Sequence, residues 1–278
     1  MRLFRHSGSS FIRFVTLASF LAGTLLPFYW MLVTSLKSRK EIYGDTLTIW
    51  PKQLTWANYA TTFQNSNFPQ YFANSALVSI VTALLVIVVS ILGGYGLARY
   101  RFKGKGLIML VFLSTQMIPV MVMLIPLFMM FGELKLLDTL AALIITYTAI
   151  NIPFCLIMMS GFFQRIPYVL EEAAMIDGCG RFRTVVQIVL PVMLPGIVAT
   201  FVFAFTAAWN DLFFGVMFAN SDKVKTVPVG LNSFIQKFDI NWGEMSAAGI
   251  LSLIPVVFMF GFVQRYIVAG LSQGAVKG

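Results

Sequence analysis

Charge is scarce in this chain. Only 11% of its 278 residues are Asp, Glu, Lys or Arg, where a soluble domain carries about 25%. Histidine occurs once, as His6, and cysteine twice. These shortages exclude much chemistry. With the one His in the N-terminal arm, no His-based metal cluster and no Ser–His pair can assemble in the apolar body. Cys155 and Cys179 have no metal-ligand spacing and fit no disulfide framework, so they read as a packing residue in an apolar run and a reduced thiol in a polar loop. The P-loop pattern GxxxxGK[ST] is absent, and Gly93-Gly94-Tyr95-Gly96 fails the dinucleotide spacing. The expectation is a chain with no catalytic residues, no metal ligands and no cofactor of its own. A net charge of +9 falls on no basic stripe with interleaved aromatics, which argues against nucleic acid and assigns the surplus to anionic membrane lipid.

What the chain does have is apolar length. Hydrophobic residues make up 58% of it, and the mean hydropathy is +0.83. About 20 apolar residues cross the ~30 Å hydrocarbon core, and six stretches are candidates, near 11–33, 75–97, 107–131, 140–161, 192–218 and 247–263. The ~10-residue alternating segments of a membrane barrel are missing. The expectation is therefore an all-α integral membrane protein, a six-helix bundle forming a single domain over 1–278. Arg2, Arg5 and Arg13 precede or open the first stretch, but it outruns the about 7–15 apolar residues of a signal peptide and reads as a retained anchor. Pro119, Pro126, Pro153 and Pro255 fall inside spans and predict bends there. Gly94 with Ala98, and Ala204 with Ala208, permit close helix approach. The connections 37–70 and 220–245 are the longest, and the first is expected to be partly ordered.

Six spans put both termini on one side. That side holds twelve of the Lys and Arg residues and the other side eight. The short 99–106 connection, with Arg99, Arg101, Lys103 and Lys105 and no acid, gives the clearest vote for a cytoplasmic face. Both termini and the 162–190 connection then lie in the cytoplasm.

That connection carries Glu172-Ala173-Ala174-Met175-Ile176-Asp177-Gly178 and, after nine more residues, Ile188-Val189-Leu190-Pro191. Pro167 suits a first helical turn, Glu171 and Glu172 complement the positive end of the helix dipole, and Gly178 suits a left-handed stop. A helix from Pro167 to Asp177 would be about 16 Å long. Ala173 and Ala174 would leave one face bare for a partner's backbone, with Val169, Leu170 and Ile176 as apolar anchors.

The pattern E-A-A, three residues, G, nine residues, I-x-L-P resembles the EAA loop of membrane subunits of bacterial ATP-binding-cassette (ABC) importers. Further stretches resemble the carbohydrate permeases related to the maltose importer: Thr34-Ser35-Leu36-Lys37, Trp50-Pro51, Asn58-Tyr59, Ala208-Trp209-Asn210-Asp211-Leu212, Val227-Pro228-Val229-Gly230-Leu231 and the tail Gly274-Ala275-Val276-Lys277-Gly278. The resemblance implies the type I importer permease fold in a bacterial inner membrane. It implies a heterodimer with a second permease, two ABC ATPase subunits that use ATP and Mg, a solute-binding protein outside, and a sugar or oligosaccharide as cargo. A polyol or glycerol phosphate is the neighbouring alternative, and an ion-coupled secondary carrier a more distant one. Residue by residue, it implies ATPase coupling through Glu172, Ala173, Ala174, Ile176, Asp177 and Gly178, and a tail that reaches the ATPases through Gly274, Lys277 and Gly278. Trp209, Asn210 and Asp211 sit near a membrane boundary, where they are either an interfacial cap or the lining of the translocation pathway.

Overall fold

Apolar length decides which helices form, and proline decides where they stop. The computed structural model describes residues 5–232, 234 and 240–272, and among these the regular elements are helical. In chain order they are α1 (Arg5–Ser35), α2 (Arg39–Ile42), α3 (Ala57–Gln64), α4 (Phe68–Arg99), α5 (Lys105–Thr115), α6 (Val120–Glu133), α7 (Leu140–Arg165), α8 (Val169–Ile176) and α9 (Arg181–Thr184). A π-helical turn, Val185–Val189, follows, and then α10 (Leu190–Val192), α11 (Leu194–Trp209), α12 (Phe213–Phe218), α13 (Val227–Asn232) and α14 (Trp242–Ser272).

Helices α1, α4, α7 and α14 are long and apolar enough to cross a membrane unaided. The other two expected spans are broken. Helices α5 and α6 meet at 94°, and the Arg181–Val192 segment meets α11 at 76°. At ~1.5 Å per residue, α5 reaches about 16 Å and α6 about 21 Å, so neither alone crosses a ~30 Å core. Pro119 is the cause of the first break. It stands extended at the start of α6, with ψ 128°, and its ring disfavours helix in the residue before it. At the second break, Pro191 and Pro195 flank Met193, and each opens a new helix. Pro126, Pro153 and Pro255, expected to bend their spans, lie inside helices that continue through them. The expected span 192–218 is also shorter than the sequence suggests, because α11 ends at Trp209 and α12 begins afresh at Phe213.

The chain, expected to form a single domain, sorts by its packing into two compact units, Met1–Pro69 with Leu231–Ile254, and Gln70–Gly230 with Pro255–Gly278. In the first, the connection after α1 is ordered, as expected. The Asn58 amide donates to the carbonyls of Ser35 and Lys37 at 2.9 Å each, and Ser35 Oγ meets Tyr59 OH at 2.8 Å. Lys37 is 4% exposed, donates to the Thr48 carbonyl and lies 4.8 Å over the Trp30 ring. The Thr-Ser-Leu-Lys and Asn-Tyr stretches are therefore two halves of one knot.

In the second unit, α7 is the spine. Three buried clusters follow one another along it. Ala142, Leu143 and Tyr147 pack with Phe131, Phe214 and Phe218. Cys155 packs with Ala83, Val86, Ala204 and Phe205. Met159 and Phe163 pack with Ile166, Val189 and Met193. Helix α4 lies so close to α7 that a Cβ at Gly94 would sit 3.0 Å from Met159 and from the Ser160 backbone nitrogen. A side chain there would push the helices apart.

The turn between α12 and α13 is tied to both helices. Asp138, just ahead of α7, accepts from the backbone N–H groups of Asn220 (2.9 Å) and Ser221 (2.8 Å). Asn74 of α4 donates to the carbonyls of Lys223 and Lys225 at 2.9 Å each, and Ser75 Oγ accepts from Val227 N–H at 2.8 Å. The hydrogen bonds from Ser221 and then Asn220 hold the Asp138 carboxyl below its ordinary value of 3.8. A depressed carboxylate keeps its contribution above the ordinary value and loses it only as pH falls through the lowered one. Amide exchange at Asn220 and Ser221 should therefore stay slow down to about pH 4. In Asp138→Ala it should be fast at neutral pH; equal protection in both proteins would contradict the tether.

Candidate coupling site

The connection between α7 and α11 folds around one buried carboxylate. Glu171 is 2% exposed. Its Oε1 lies 2.6 Å from Arg99 Nε, and its Oε2 accepts from Tyr95 OH at 2.8 Å. Arg99 also donates through Nη2 to the Ile166 carbonyl at 3.1 Å, and its guanidinium lies 5.7 Å from the Tyr168 ring centre. A buried charge pair persists only when its remaining hydrogen-bonding capacity is met. Here Tyr95 and Ile166 meet it. The last turn of α4 is thereby locked to the first turn of α8. Behind the pair a cavity of about 140 Å³ is lined by Tyr100, Met175, Arg181 and Thr184 together with the pair itself. Arg181, part of its lining, lies over the Tyr100 ring at 5.9 Å and donates to its hydroxyl at 3.3 Å.

Helix α8 begins at Val169, two residues later than the sequence suggests, after a turn in which Leu170 N–H bonds the Pro167 carbonyl at 3.2 Å. It ends as expected. Gly178 has φ +83°. Cys179 N–H returns to the Ala174 carbonyl (2.9 Å) and Gly178 N–H to that of Met175 (3.1 Å), the paired bonds of a Schellman cap.

The helical period divides the motif into two faces. Glu171 and Ala174 point inward, whereas Val169, Glu172, Ala173 and Ile176 are exposed at i, i+3, i+4 and i+7. Ile176 is 86% exposed and Phe182, just past the cap, 83%. Asp177 and Gly178 are exposed as well. One expectation needs correcting. Ala174, paired with Ala173 as a bare surface for a partner, is 3% exposed and faces its own chain. Ala173 alone keeps that surface. Glu171, expected only to complement the helix dipole, is instead the buried anchor of the helix. Two adjacent helical residues point about 100° apart, so the spacing alone leaves open which of Glu171 and Glu172 turns inward; the structure turns Glu171 inward and leaves Glu172 exposed.

The second candidate group separates into three fates. Trp209 is 3% exposed, stacked on Phe205 (5.5 Å, 16°) and edge-on to Phe72 (5.4 Å). Its ring faces are occupied by its own core, so it does not line a pathway. Asp211 Oδ1 accepts from Tyr147 OH (2.8 Å) and from the backbone N–H groups of Phe214 (3.0 Å) and Gly215 (3.3 Å). It is a helix cap for α12. Asn210 is exposed, at the end of an open apolar groove of about 440 Å³ that also includes Ala199, Phe203, Thr206 and Phe260. The tail residues Gly274, Lys277 and Gly278 lie outside the described residues. Among the described residues, no group of three or more His, Cys, Asp or Glu is placed to hold a metal ion.

The chain is thus a helical membrane protein in which a capped helix, fixed by a buried ion pair, lies between the unbroken span α7 and a bent one. The chain belongs to the binding-protein-dependent transport system inner membrane component family, whose sequence model matches residues 87–273. It is 39% identical over 264 residues to the inner membrane ABC transporter permease protein YcjP of Escherichia coli K12, which covers 94% of each chain. It is 34% identical to the diacetylchitobiose uptake system permease protein DasC of Streptomyces coelicolor, over 95% of this chain and 96% of that one. A chain from the crystal structure of a bacterial ABC transporter for alginate import superposes with a TM-score of 0.83 at 20% identity, covering 96% of this chain and 98% of the other. The fold is that of a type I importer permease. The protein is a multi-pass inner membrane transport subunit and not an enzyme.

Removing one partner of a buried pair leaves the other charge stranded. Glu171→Ala should therefore destabilise the purified protein by about 3 kcal/mol, while the exposed Glu172→Ala stays within about 0.5 kcal/mol of wild type. Thermal unfolding in detergent makes the comparison. Equal losses for the two would remove the distinction between the faces.

Proposed function

We propose that this chain is one of two membrane subunits of an ATP-driven importer for a sugar or oligosaccharide, and that α8 is the element its ATPase grips. The single observation that carries the reading is the exposed row Val169, Glu172, Ala173 and Ile176 on a helix anchored from behind by Arg99. An apolar row on a polar connection, 86% exposed at Ile176, fits a helix-in-groove contact. In this reading the connection lies in the cytoplasm, where Glu172 meets a basic or N–H group at the groove rim and Ala173 allows close approach. Gly178 sets the angle at which the chain leaves. The tail residues Gly274, Lys277 and Gly278 add a second contact. A carbohydrate cargo is supported by the diacetylchitobiose permease among its relatives, and a companion permease, two ATPases and an extracytoplasmic binding protein complete the assembly. ATP and Mg would be held by the ATPases.

The mechanism is mechanical. Closure of the ATPases on nucleotide displaces α8, and the anchored ion pair carries that displacement into the bundle instead of letting α8 swivel on its loop. The pathway then opens to the other side. Asn210, one of the residues lining the α11 groove, offers an amide to passing hydroxyl groups.

Gly178 tests this reading. A Cβ there would meet nothing within 4 Å, so a substitution is penalised only by its left-handed backbone, by roughly 1–2 kcal/mol. Gly178→Asp should lower both ATPase co-purification and ATP-dependent uptake in proteoliposomes by about tenfold, and Gly178→Asn should lose less, since Asn tolerates that conformation. Normal co-purification with full uptake in Gly178→Asp would refute the coupling role. For cargo, Asn210→Ala should raise the uptake KM with little change in maximal rate, whereas an unchanged KM would remove Asn210 from the pathway.

A further inference from the structure

The far end of α4 is held as firmly as its Arg99 end. Tyr71 OH donates to Asp222 Oδ1 at 2.9 Å, Asn74 bonds two carbonyls of the 220–227 turn, and Ser75 caps the amide of Val227. Asn74 and Ser75 are 3% and 2% exposed, so these bonds are shielded from water. From Asn74 to Arg99 the helix runs 25 residues without a break, about 38 Å at ~1.5 Å per residue. That exceeds the ~30 Å core, so its two clamps lie on opposite sides of the membrane. Gly94 lets α4 bed against α7, which stiffens it.

The covalent route from α8 toward α11 is poorly suited to carry force over that distance. It passes the π-helical turn Val185–Val189 and the 76° bend at Met193, both places where a helix yields. Helix α4 has neither. We infer that α4 is a strut that makes the 220–227 turn on one face of the membrane move with α8 on the other, with Arg99 and Asn74 as its positioning residues. The inference rests on the reading of α8 as the ATPase contact and extends it. Nucleotide state inside would be displayed outside through one helix, at a turn whose Lys223 carbonyl and Lys225 carbonyl are fixed by a single amide.

The test is hydrogen exchange on the full complex, with companion permease and ATPases, in lipid nanodiscs, with and without magnesium and a non-hydrolysable ATP analogue. In wild type, nucleotide should change exchange at both 166–178 and 220–227, by about fivefold or more, the lower end of ordinary coupling between sites. In Asn74→Ala the change at 166–178 should remain and the change at 220–227 should vanish; in Arg99→Met, where α8 also loses its fixed face, the change at 166–178 should weaken and that at 220–227 should vanish. Arg99→Lys, or the exchange of charges Arg99→Glu with Glu171→Arg, should restore part of it, which mere loss of folding would not allow. If 220–227 still responds in both single variants, the strut is overturned and α7 carries the motion. If wild type responds at 166–178 alone, the strut fails while the ATPase contact stands. If neither segment responds, the ATPase contact itself fails and the strut with it.

Discussion

The ion pair between Arg99 and Glu171 decides the orientation of everything on the α7–α11 connection. An eight-residue helix is too short to hold its own shape in water, and this one is attached by loops at both ends. The buried pair, at 2.6 Å with Tyr95 and the Ile166 carbonyl completing its hydrogen bonds, fixes which face looks in. Once Glu171 is inside, the helical period places Ala174 inside and Ile176 outside, with no further instruction. Replacing the pair with apolar residues would be an inexpensive exchange in stability. What it would lose is a defined direction, because apolar contacts are non-directional and α8 could then rotate about its axis. A lever needs a fixed angle more than it needs a strong joint.

The broken spans obey a related constraint. In hydrocarbon every backbone polar group must be satisfied within the protein, so a 94° turn between α5 and α6 is possible only where a neighbour or a proline removes the need for a bond. Pro119 does so by lacking an N–H. The prolines of α6, α7 and α14 show that proline alone is insufficient to break a helix. At Pro119 the residue itself adopts an extended conformation, and the intervening residues 116–119 turn before α6 starts. Breaks then concentrate in the flanks of the second unit, while α4 and α7, in contact along Gly94 and Met159, stay continuous. The unit combines two rigid rods with two hinged flanks.

How much of this was legible beforehand varies by physical cause. That the apolar stretches are helical follows from their length and composition, while the bends that leave four helices long enough to cross unaided and two bent pairs do not; the left-handed stop at Gly178 follows from the requirement for a residue without a Cβ. The family could be read from the EAA spacing as a sequence pattern, of which Gly178 alone among the motif residues is set by a local backbone rule, its positive φ. Trp209 misled, since a Trp beside Asn-Asp near a membrane boundary looks the same whether its ring faces a pathway or Phe205 and Phe72. Only tertiary packing distinguishes them. Ala174 and Glu171 were misjudged for the opposite reason. The phase of a helix is available from sequence only if one inward residue is known, and the partner that pulls Glu171 inward lies 72 residues away.

That long sequence separation would also suit such a joint to the proposed coupling. A contact between residues close in the chain is formed and kept locally, so it reports little about the rest of the protein. A contact between the end of α4 and the start of α8 exists only when the α4–α7 packing is correct, since Ile166, which accepts from Arg99, is itself set by its place beside Met159 and Phe163. Motion of α8 must then either move α4 and α7 as a body or break a buried charge pair, and the second course costs several kcal/mol. In the proposed mechanism the bundle would move because that is the cheaper response.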